Sequence, residues 1–250
     1  MTTTVAVVGA TGTMGRLVSS LIGASPEFEL VASLSSASPL SDMEAAQLVV
    51  DFTHPAVSPR VVEHAVGAGL NVLVGTSGWS SERIATLTRT LDKAPDVGVV
   101  IIPNFSVGSA LVSAFSAMAA RFYESIEIIE AHHAGKVDSP SGTAVRTAEL
   151  IGVARESLGP VAAPHTDQRA RGQQVSSVPI HSLRMRGVIA RQEVMLGGTG
   201  ELVTLRHETT SPQSYEAGIL LGLAAARDAR GVVVGLESLI DLTPRRAETR

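Results

Sequence analysis

The densest chemistry in this 250-residue chain lies in one string, Glu127-Ile128-Ile129-Glu130-Ala131-His132-His133-Ala134-Gly135-Lys136-Val137-Asp138-Ser139-Pro140-Ser141-Gly142-Thr143-Ala144. Two of seven histidines, His132 and His133, fall there beside Lys136, and the chain has only one other lysine, Lys93. A histidine titrates near neutrality and can supply the proton that accompanies a hydride when a C=C or C=N bond is reduced. The Ser141-Gly142-Thr143 turn opens a helix expected from Thr143, so its amide N–H groups favour a carboxylate or phosphate. Lys136 and a histidine add positive charge beside them. Adjacent side chains on an extended strand point to opposite faces and no further ligand cluster is evident, so the histidine pair is not expected to hold a metal. Ser139 and Pro140 read as the cap and first residue of the helix.

A second constellation stands near the amino terminus. Gly9-Ala10-Thr11-Gly12-Thr13-Met14-Gly15 follows a strand and opens a helix, where glycines permit a tight turn and close approach of backbone to a pyrophosphate. The spacing is GxxGxxG, a variant of the dinucleotide fingerprint. The carboxylate that would bind an adenine ribose at the end of the second strand is missing. Leu34-Ser35-Ser36-Ala37-Ser38 offers small hydroxyls, with Ser35 where the acid would stand, and no adjacent Arg or Lys marks a 2′-phosphate site. The choice between NADH and NADPH is open, with a lean toward tolerance of NADPH. Gly75-Thr76-Ser77-Gly78 and Ile102-Pro103-Asn104-Phe105 lie at the carboxyl ends of expected strands and are candidates to touch the nicotinamide half. Asp51-Phe52-Thr53-His54 sits at a similar strand end, where His54 reads as the residue before a helix at Pro55.

The elements that would carry these groups alternate along the first hundred residues. Strands are expected at Val5–Val8, Phe28–Leu34, Gln47–Phe52, Asn71–Val74 and Val97–Ile102. Helices are expected at Met14–Gly23, Pro55–Gly69 and Ser80–Leu91. Alternation of this kind implies a parallel, doubly wound sheet. After Phe105 the texture changes: a helix over Val107–Phe122, a strand over Ile126–Ala131, a helix over Thr143–Leu158, a loop over Gly159–Gln174, then several strands from Val175 to Glu208 with no helix between them. That run indicates a mixed or antiparallel sheet. A last helix from Ser211-Pro212 to Ala229 and a short strand at Val232–Val234 are expected to return to the first sheet. The expected fold class is therefore α/β, a doubly wound parallel-sheet domain over 1–105 and 213–250 with a second, α+β domain carrying a mixed sheet over 106–212. Composition changes place a hinge at Asn104–Gly108 and another at Ser211–Gln213.

Composition excludes whole classes. Net charge is −4 and aromatic residues are 3% of the chain, which fits neither the basic footprint nor the stacking platform of a nucleic-acid binder. The longest uncharged apolar stretch, near Ala217–Ala226, is well short of the ~20 residues that span a bilayer. The amino-terminal segment lacks a basic region, reads as a first strand and points to the cytoplasm. The chain has no cysteine, which removes thiolate metal sites and thioester-forming dehydrogenases. A short-chain dehydrogenase needs a lysine four residues after a tyrosine; Tyr123 and Tyr215 are followed at that spacing by Glu127 and Ile219.

The string from Glu127 to Ala144 resembles the signature of the dihydrodipicolinate reductase family. The likeness extends to the glycine turn, Val50-Asp51-Phe52-Thr53-His54-Pro55, Gly75-Thr76-Ser77-Gly78, Pro103-Asn104-Phe105-Ser106, Gln192-Glu193-Val194 and Arg206-His207. The resemblance implies a Rossmann-type cofactor domain over 1–105 and 213–250, a substrate and oligomerisation domain over 106–212 whose mixed sheet builds a homotetramer, and hydride transfer from NADH or NADPH to a cyclic dicarboxylate. It implies His132 as proton donor and acceptor, Lys136 as a second proton donor, and His133, Gly142 and Thr143 as carboxylate ligands. Gly9 to Met14, Gly75 to Ser77 and Ile102 to Phe105 would be cofactor contacts. Thr11 and Thr13 replace basic residues found in several members, and Ser35 an acidic one. On local grounds Lys136 reads better as a carboxylate clamp than as an acid, since a dianion that compensates its charge gives it little reason to release a proton. A catalytically silent nicotinamide-sensing protein of the same fold is the alternative.

Overall fold

The computed structural model describes residues 2–243. Along the first part of the chain run β1 (Thr3–Val8), α1 (Thr13–Ala24), β2 (Phe28–Leu34), β3 (Leu48–Asp51), α2 (Ser58–Gly67), β4 (Asn71–Val74), α3 (Ser81–Leu91) and β5 (Gly98–Ile101). Then follow α4 (Val107–Ala120), β6 (Ser125–His133), α5 (Gly142–Ala154), β7 (Gln173–Val175), β8 (Val178–Met185), β9 (Ala190–Gly198) and β10 (Glu201–Thr209). The described chain closes with α6 (Glu216–Arg227) and β11 (Gly231–Val234). Residues 244–250 of the expected carboxyl-terminal segment lie outside the described residues.

Six strands form a wholly parallel sheet in the order β11-β5-β4-β3-β1-β2. Val5–Val7, Leu48–Val50 and Val72–Val74 are fully buried, because helices cover both faces and every second residue has a core to enter. Val61, Val62 and Ala65 of α2 and Leu87 and Leu91 of α3 pack on one face; Val18 and Ile22 of α1 and Ile219 and Leu223 of α6 pack on the other. The final helix and strand return as expected, with β11 adding beside β5.

The second sheet has the order β10-β9-β6-β8-β7 and is mixed: β6 pairs parallel with β8, and the other pairs are antiparallel. Its core face sets Ile126 and Ile128 of β6, Ile180 of β8 and Val194 and Leu196 of β9 against Ala144, Ala148 and Ile151 of α5. The opposite face leaves Leu183, Met185 and Leu202 exposed.

Several boundaries differ from the sequence expectation for identifiable reasons. The helix after His54 begins at Ser58, whose hydroxyl is held by the buried Asp51 carboxylate. α4 stops at Ala120 and α5 at Ala154, because the buried Arg155 guanidinium donates 2.6 Å to the Ala120 carbonyl and also reaches that of Tyr123. Gln173 and Gln174, read as loop, pair in β7 through a hairpin whose Ser176 and Ser177 both have positive φ (48° and 67°); two serines lack the Asn-Gly signal that announces such turns. The cap of α5 is Ser141, not Ser139: the Ser141 hydroxyl accepts from the Ala144 N–H while its own N–H donates to Glu130 at 3.2 Å, which sets the helix start at Gly142, two residues later than the Ser139-Pro140 reading requires.

Candidate active site

The glycine turn is built for an anion. Gly9 has φ +82°, and a Cβ there would collide with the Phe52 carbonyl; one on Gly15 would collide with the Gly9 carbonyl. The N–H groups of Gly9 and Ala10 are held by the Leu34 carbonyl at 2.9 and 3.1 Å, which fixes the turn against β2. The N–H groups of Thr11, Thr13 and Met14 have no main-chain partner among the described residues, and Gly12 caps α1 with no side chain. A tight turn feeding an uncapped helix start is what a pyrophosphate requires. This turn opens onto a cleft of about 430 Å³ whose far wall is Ser35, Ser36, Ser38, His54 and Arg60. Arg60, exposed on the first turn of α2, is distant in sequence from Ser35, which is why a local reading of β2 misses it.

Phe52 lines this cleft and also a second one of about 260 Å³, so one ring borders both. The second cleft joins Met14, Gly75, Ser77, Pro103, Asn104 and Phe105 from the parallel-sheet side to His132, His133, Lys136, Gly142 and Thr143 from the mixed-sheet side. Phe52 and Phe105 meet at a ring separation of 5.4 Å. Three sequence candidates turn elsewhere. Ile102 is fully buried in the core, Thr76 spends its hydroxyl between the Thr53 N–H (2.8 Å) and the Asp51 carbonyl (3.3 Å), and Ala10 packs under the turn. Across the cleft, Asn104 Nδ2 donates to Thr143 Oγ1 at 3.2 Å.

His132 is held from behind. Its Nδ1 lies 2.6 Å from Glu130 Oε2, and Glu130 is fully buried. Burial works against ionisation of that carboxyl, yet hydrogen bonds from His132 and Arg184 outweigh it and lower its pKa to about 2. An ionised carboxylate only accepts, so Nδ1 carries the hydrogen and Nε2 is the ring nitrogen left free of protein partners among the described residues. Arg184 grips the same carboxylate with two bonds of 2.9 Å and donates to the Asp138 carbonyl at 2.6 Å. Lys136 Nζ sits 2.7 Å from Asp138 Oδ1, so the cation is compensated internally. His133, the last residue of β6, is exposed and borders the same cleft.

Glu130, Arg184 and Asp138 carried no role in the sequence reading. A signal for Glu130 was present: it follows Ile126 and Ile128 in the buried phase of β6, where a carboxylate stands out. Arg184 gives no such signal, since it reaches the site only because β8 pairs with β6 and brings it opposite His132.

A dinucleotide turn at the first βα junction, facing a histidine and lysine across a cleft between two sheets, defines a nucleotide-dependent oxidoreductase. Comparison with known proteins is specific. Residues 3–105 match the family model for the amino-terminal part of dihydrodipicolinate reductase, and residues 108–240 match that for its carboxyl-terminal part. The chain belongs to the dihydrodipicolinate reductase family, enzymes that use NAD(P)H. It is 66% identical over 246 residues to the 4-hydroxy-tetrahydrodipicolinate reductase of Clavibacter michiganensis subsp. michiganensis, covering 98% of this chain and 89% of that one. It is 43% identical to the enzyme of that name from Streptomyces griseus subsp. griseus, covering 95% and 98%. Among solved structures, dipicolinate-bound dihydrodipicolinate reductase from Paenisporosarcina sp. TG-14 superposes with a TM-score of 0.76 at 28% identity, covering 96% of this chain and all of that one. GenD2 from gentamicin A biosynthesis in complex with NAD shares the fold at a TM-score of 0.61 and 16% identity.

Proposed function

We propose that the chain reduces 4-hydroxy-tetrahydrodipicolinate to tetrahydrodipicolinate, in lysine and diaminopimelate biosynthesis, with His132 delivering the proton. The observation that carries this reading is the cleft itself, where the residues of a dinucleotide site and the His132, Lys136, Gly142-Thr143 group face each other. Replacing the 4-hydroxyl by hydrogen consumes one hydride and one proton and releases water. The reduced nicotinamide supplies the hydride. The turn from Gly9 to Met14 with Ser35 would hold the dinucleotide, with Gly75, Thr76, Ser77 and Ile102 to Phe105 around its nicotinamide half; Thr76 and Ile102 would contribute main chain, since their side chains are spent inside the protein.

His132 Nε2 delivers the proton, because Nδ1 is committed to Glu130. Lys136, His133 and the N–H groups at Gly142 and Thr143 receive the carboxylates, a dianion displacing Asp138 from Lys136. Lys136 acts as a clamp in this scheme. Residues 1–105 with 213–250 form the nucleotide-binding domain, and 106–212 the substrate and assembly domain. The apolar residues left bare on the mixed sheet, Leu183, Met185 and Leu202, suit burial between copies in a homotetramer. No helix among the described residues is long and apolar enough to cross a membrane, and we assign the enzyme to the cytoplasm.

The test couples the purified protein to substrate generated in situ from pyruvate and aspartate semialdehyde and follows oxidation of NADH and NADPH separately. Oxidation that depends on the upstream synthase condensing those two compounds is the expected result. Cofactor binding without oxidation would reduce the protein to a sensor. His132→Gln should lower turnover by ~10² to 10⁴ with little change in substrate KM, whereas Lys136→Ala should chiefly raise that KM. Near-normal turnover in His132→Gln would remove that residue from its role.

A further inference from the structure

We infer that the Glu130–Arg184 ion pair is the positioning device of the proton donor, fixing His132 and the substrate turn in one arrangement. The inference rests on the role proposed for His132.

The pair is poorly explained as a stabilising feature. Glu130 occupies a core phase of β6, in line with Ile126 and Ile128, and taking a carboxylate and a guanidinium out of water costs as much as their attraction returns; apolar residues of similar size commonly serve stability as well or better. What the pair does is geometric. The Glu130 carboxylate accepts from His132 Nδ1 (2.6 Å) and Arg184 Nη1 (2.9 Å) on Oε2, and from Arg184 Nη2 (2.9 Å) and the Ser141 N–H (3.2 Å) on Oε1. These four bonds, with the Ser182 side chain opposite Glu130 on β8 adding a further donor, fill its accepting positions, so neither the carboxylate nor the imidazole can turn without breaking a buried bond. The ring tautomer is set and Nε2 is the atom that can meet substrate.

The same two residues also hold the segments that carry Gly142, Thr143 and Lys136. Through the Ser141 N–H, Glu130 holds the start of α5, which carries Gly142 and Thr143. Through the Asp138 carbonyl, Arg184 holds the loop that carries Lys136. Arg184 lies directly across the β6–β8 ladder from His132, so the register of two parallel strands sets the spacing.

Charge explains why an arginine accompanies the acid. Glu130 alone would favour the imidazolium, but once Nε2 releases its proton a buried carboxylate would stand uncompensated. With Arg184 in place the pair is neutral, and the imidazole left behind is neutral too. The N–H bond at Nε2 breaks, the new bond forms on the substrate oxygen or carbon that accepts the proton, and no unpaired charge is left in the interior.

The experiment is a double-mutant cycle on the full-length enzyme. Glu130→Gln, His132→Gln and the double variant are assayed for kcat, for both KM values and for dipicolinate affinity, with thermal melting as the check on folding. Glu130→Gln should lower kcat at least roughly 10- to 100-fold, the range seen when the group orienting a metal-ligating histidine is lost, with cofactor KM unchanged. In the His132→Gln background the same change should cost no further turnover. An equal loss in both backgrounds, or wild-type kcat in folded Glu130→Gln, overturns the inference. Should Glu130→Gln not fold, Glu130→Asp keeps the charge but withdraws it from His132; a partial loss of kcat, absent in the His132→Gln background, is then expected, and wild-type kcat overturns the inference. Failure of the reading beneath it looks different: His132→Gln itself would then retain turnover, whatever Glu130 does.

Discussion

At the scale of single residues, the chemistry is carried by side chains whose partners decide what they can do. Lys136 is paired with Asp138, so a ligand with one carboxylate must compete against an internal counter-ion. Arg60 has no ion pair among the described residues and lines the cleft of the glycine turn together with Ser35, Ser36 and Ser38; with the adenosine held there, as proposed, no acid stands beside it to repel a 2′-phosphate. Arg60→Ala is expected to raise the KM for NADPH by about 10-fold or more, the ~1.5 to 3 kcal/mol of one charge-assisted hydrogen bond, while leaving that for NADH within about twofold. Parallel initial-rate measurements with the two cofactors decide it, and an equal rise in both would place Arg60 against the adenine instead. His132, Lys136 and the glycine turn were legible in the sequence because each is a rare or conformationally special residue in a short string. Arg60 and Arg184 were not, since the chain brings them in from α2 and β8, far from the motifs they serve.

At the scale of elements, the sequence carried the strands of the parallel sheet well, because unbroken valine-rich runs such as Leu48–Val50 have no other stable placement. Helix ends were read less well, since they depend on partners from elsewhere, as Arg155 shows at the end of α4. The β6–β8 pair makes a prediction about acid. The folded Glu130 carboxyl titrates at about 2, below its ordinary value of 4.5, so its contribution to stability is complete above the ordinary value and is lost as pH falls toward 2. The shift amounts to ~3 kcal/mol. Urea unfolding at neutral pH and near pH 3 should show wild type losing more stability than Glu130→Gln between the two. A second prediction concerns α6. Asn71 on β4 donates to the carbonyls of Ala226 and Arg227 at 2.9 Å and accepts from the Gly98 N–H at 2.8 Å, tying the end of α6 and the start of β5 to one buried side chain. Asn71→Ala should destabilise the protein by ~2 to 4 kcal/mol by orphaning those groups, measured as a fall in the urea midpoint with turnover unchanged in the fraction that remains folded.

At the scale of the whole molecule, the two halves meet through few polar contacts besides the cleft. Asn104 reaches Thr143, and Arg146 of α5 pairs with Glu237 at 2.9 Å just beyond β11. The change of texture after Phe105 was readable in the sequence, whereas these bridges were not, because each joins residues that only the finished fold makes neighbours. If the halves close on their ligands about Asn104–Gly108 and Ser211–Gln213, small-angle scattering should show a smaller radius of gyration with NADPH and dipicolinate than without; identical curves would mean a rigid pair.

The placement of β11 beside β5 bears on how the protein is made. The nucleotide-binding sheet begins at Thr3 and gains its last strand only at Gly231–Val234, after the whole mixed-sheet half has been synthesised. While the ribosome is still adding the residues from 102 to 230, β5 stands as an open edge, and the face that α6 will cover, with Val100 and Ile102 in it, is bare to solvent. The nascent chain thus carries an unfinished parallel sheet through the synthesis of the whole mixed-sheet half, and that interval is when it is most exposed to mispairing and most in need of chaperone protection.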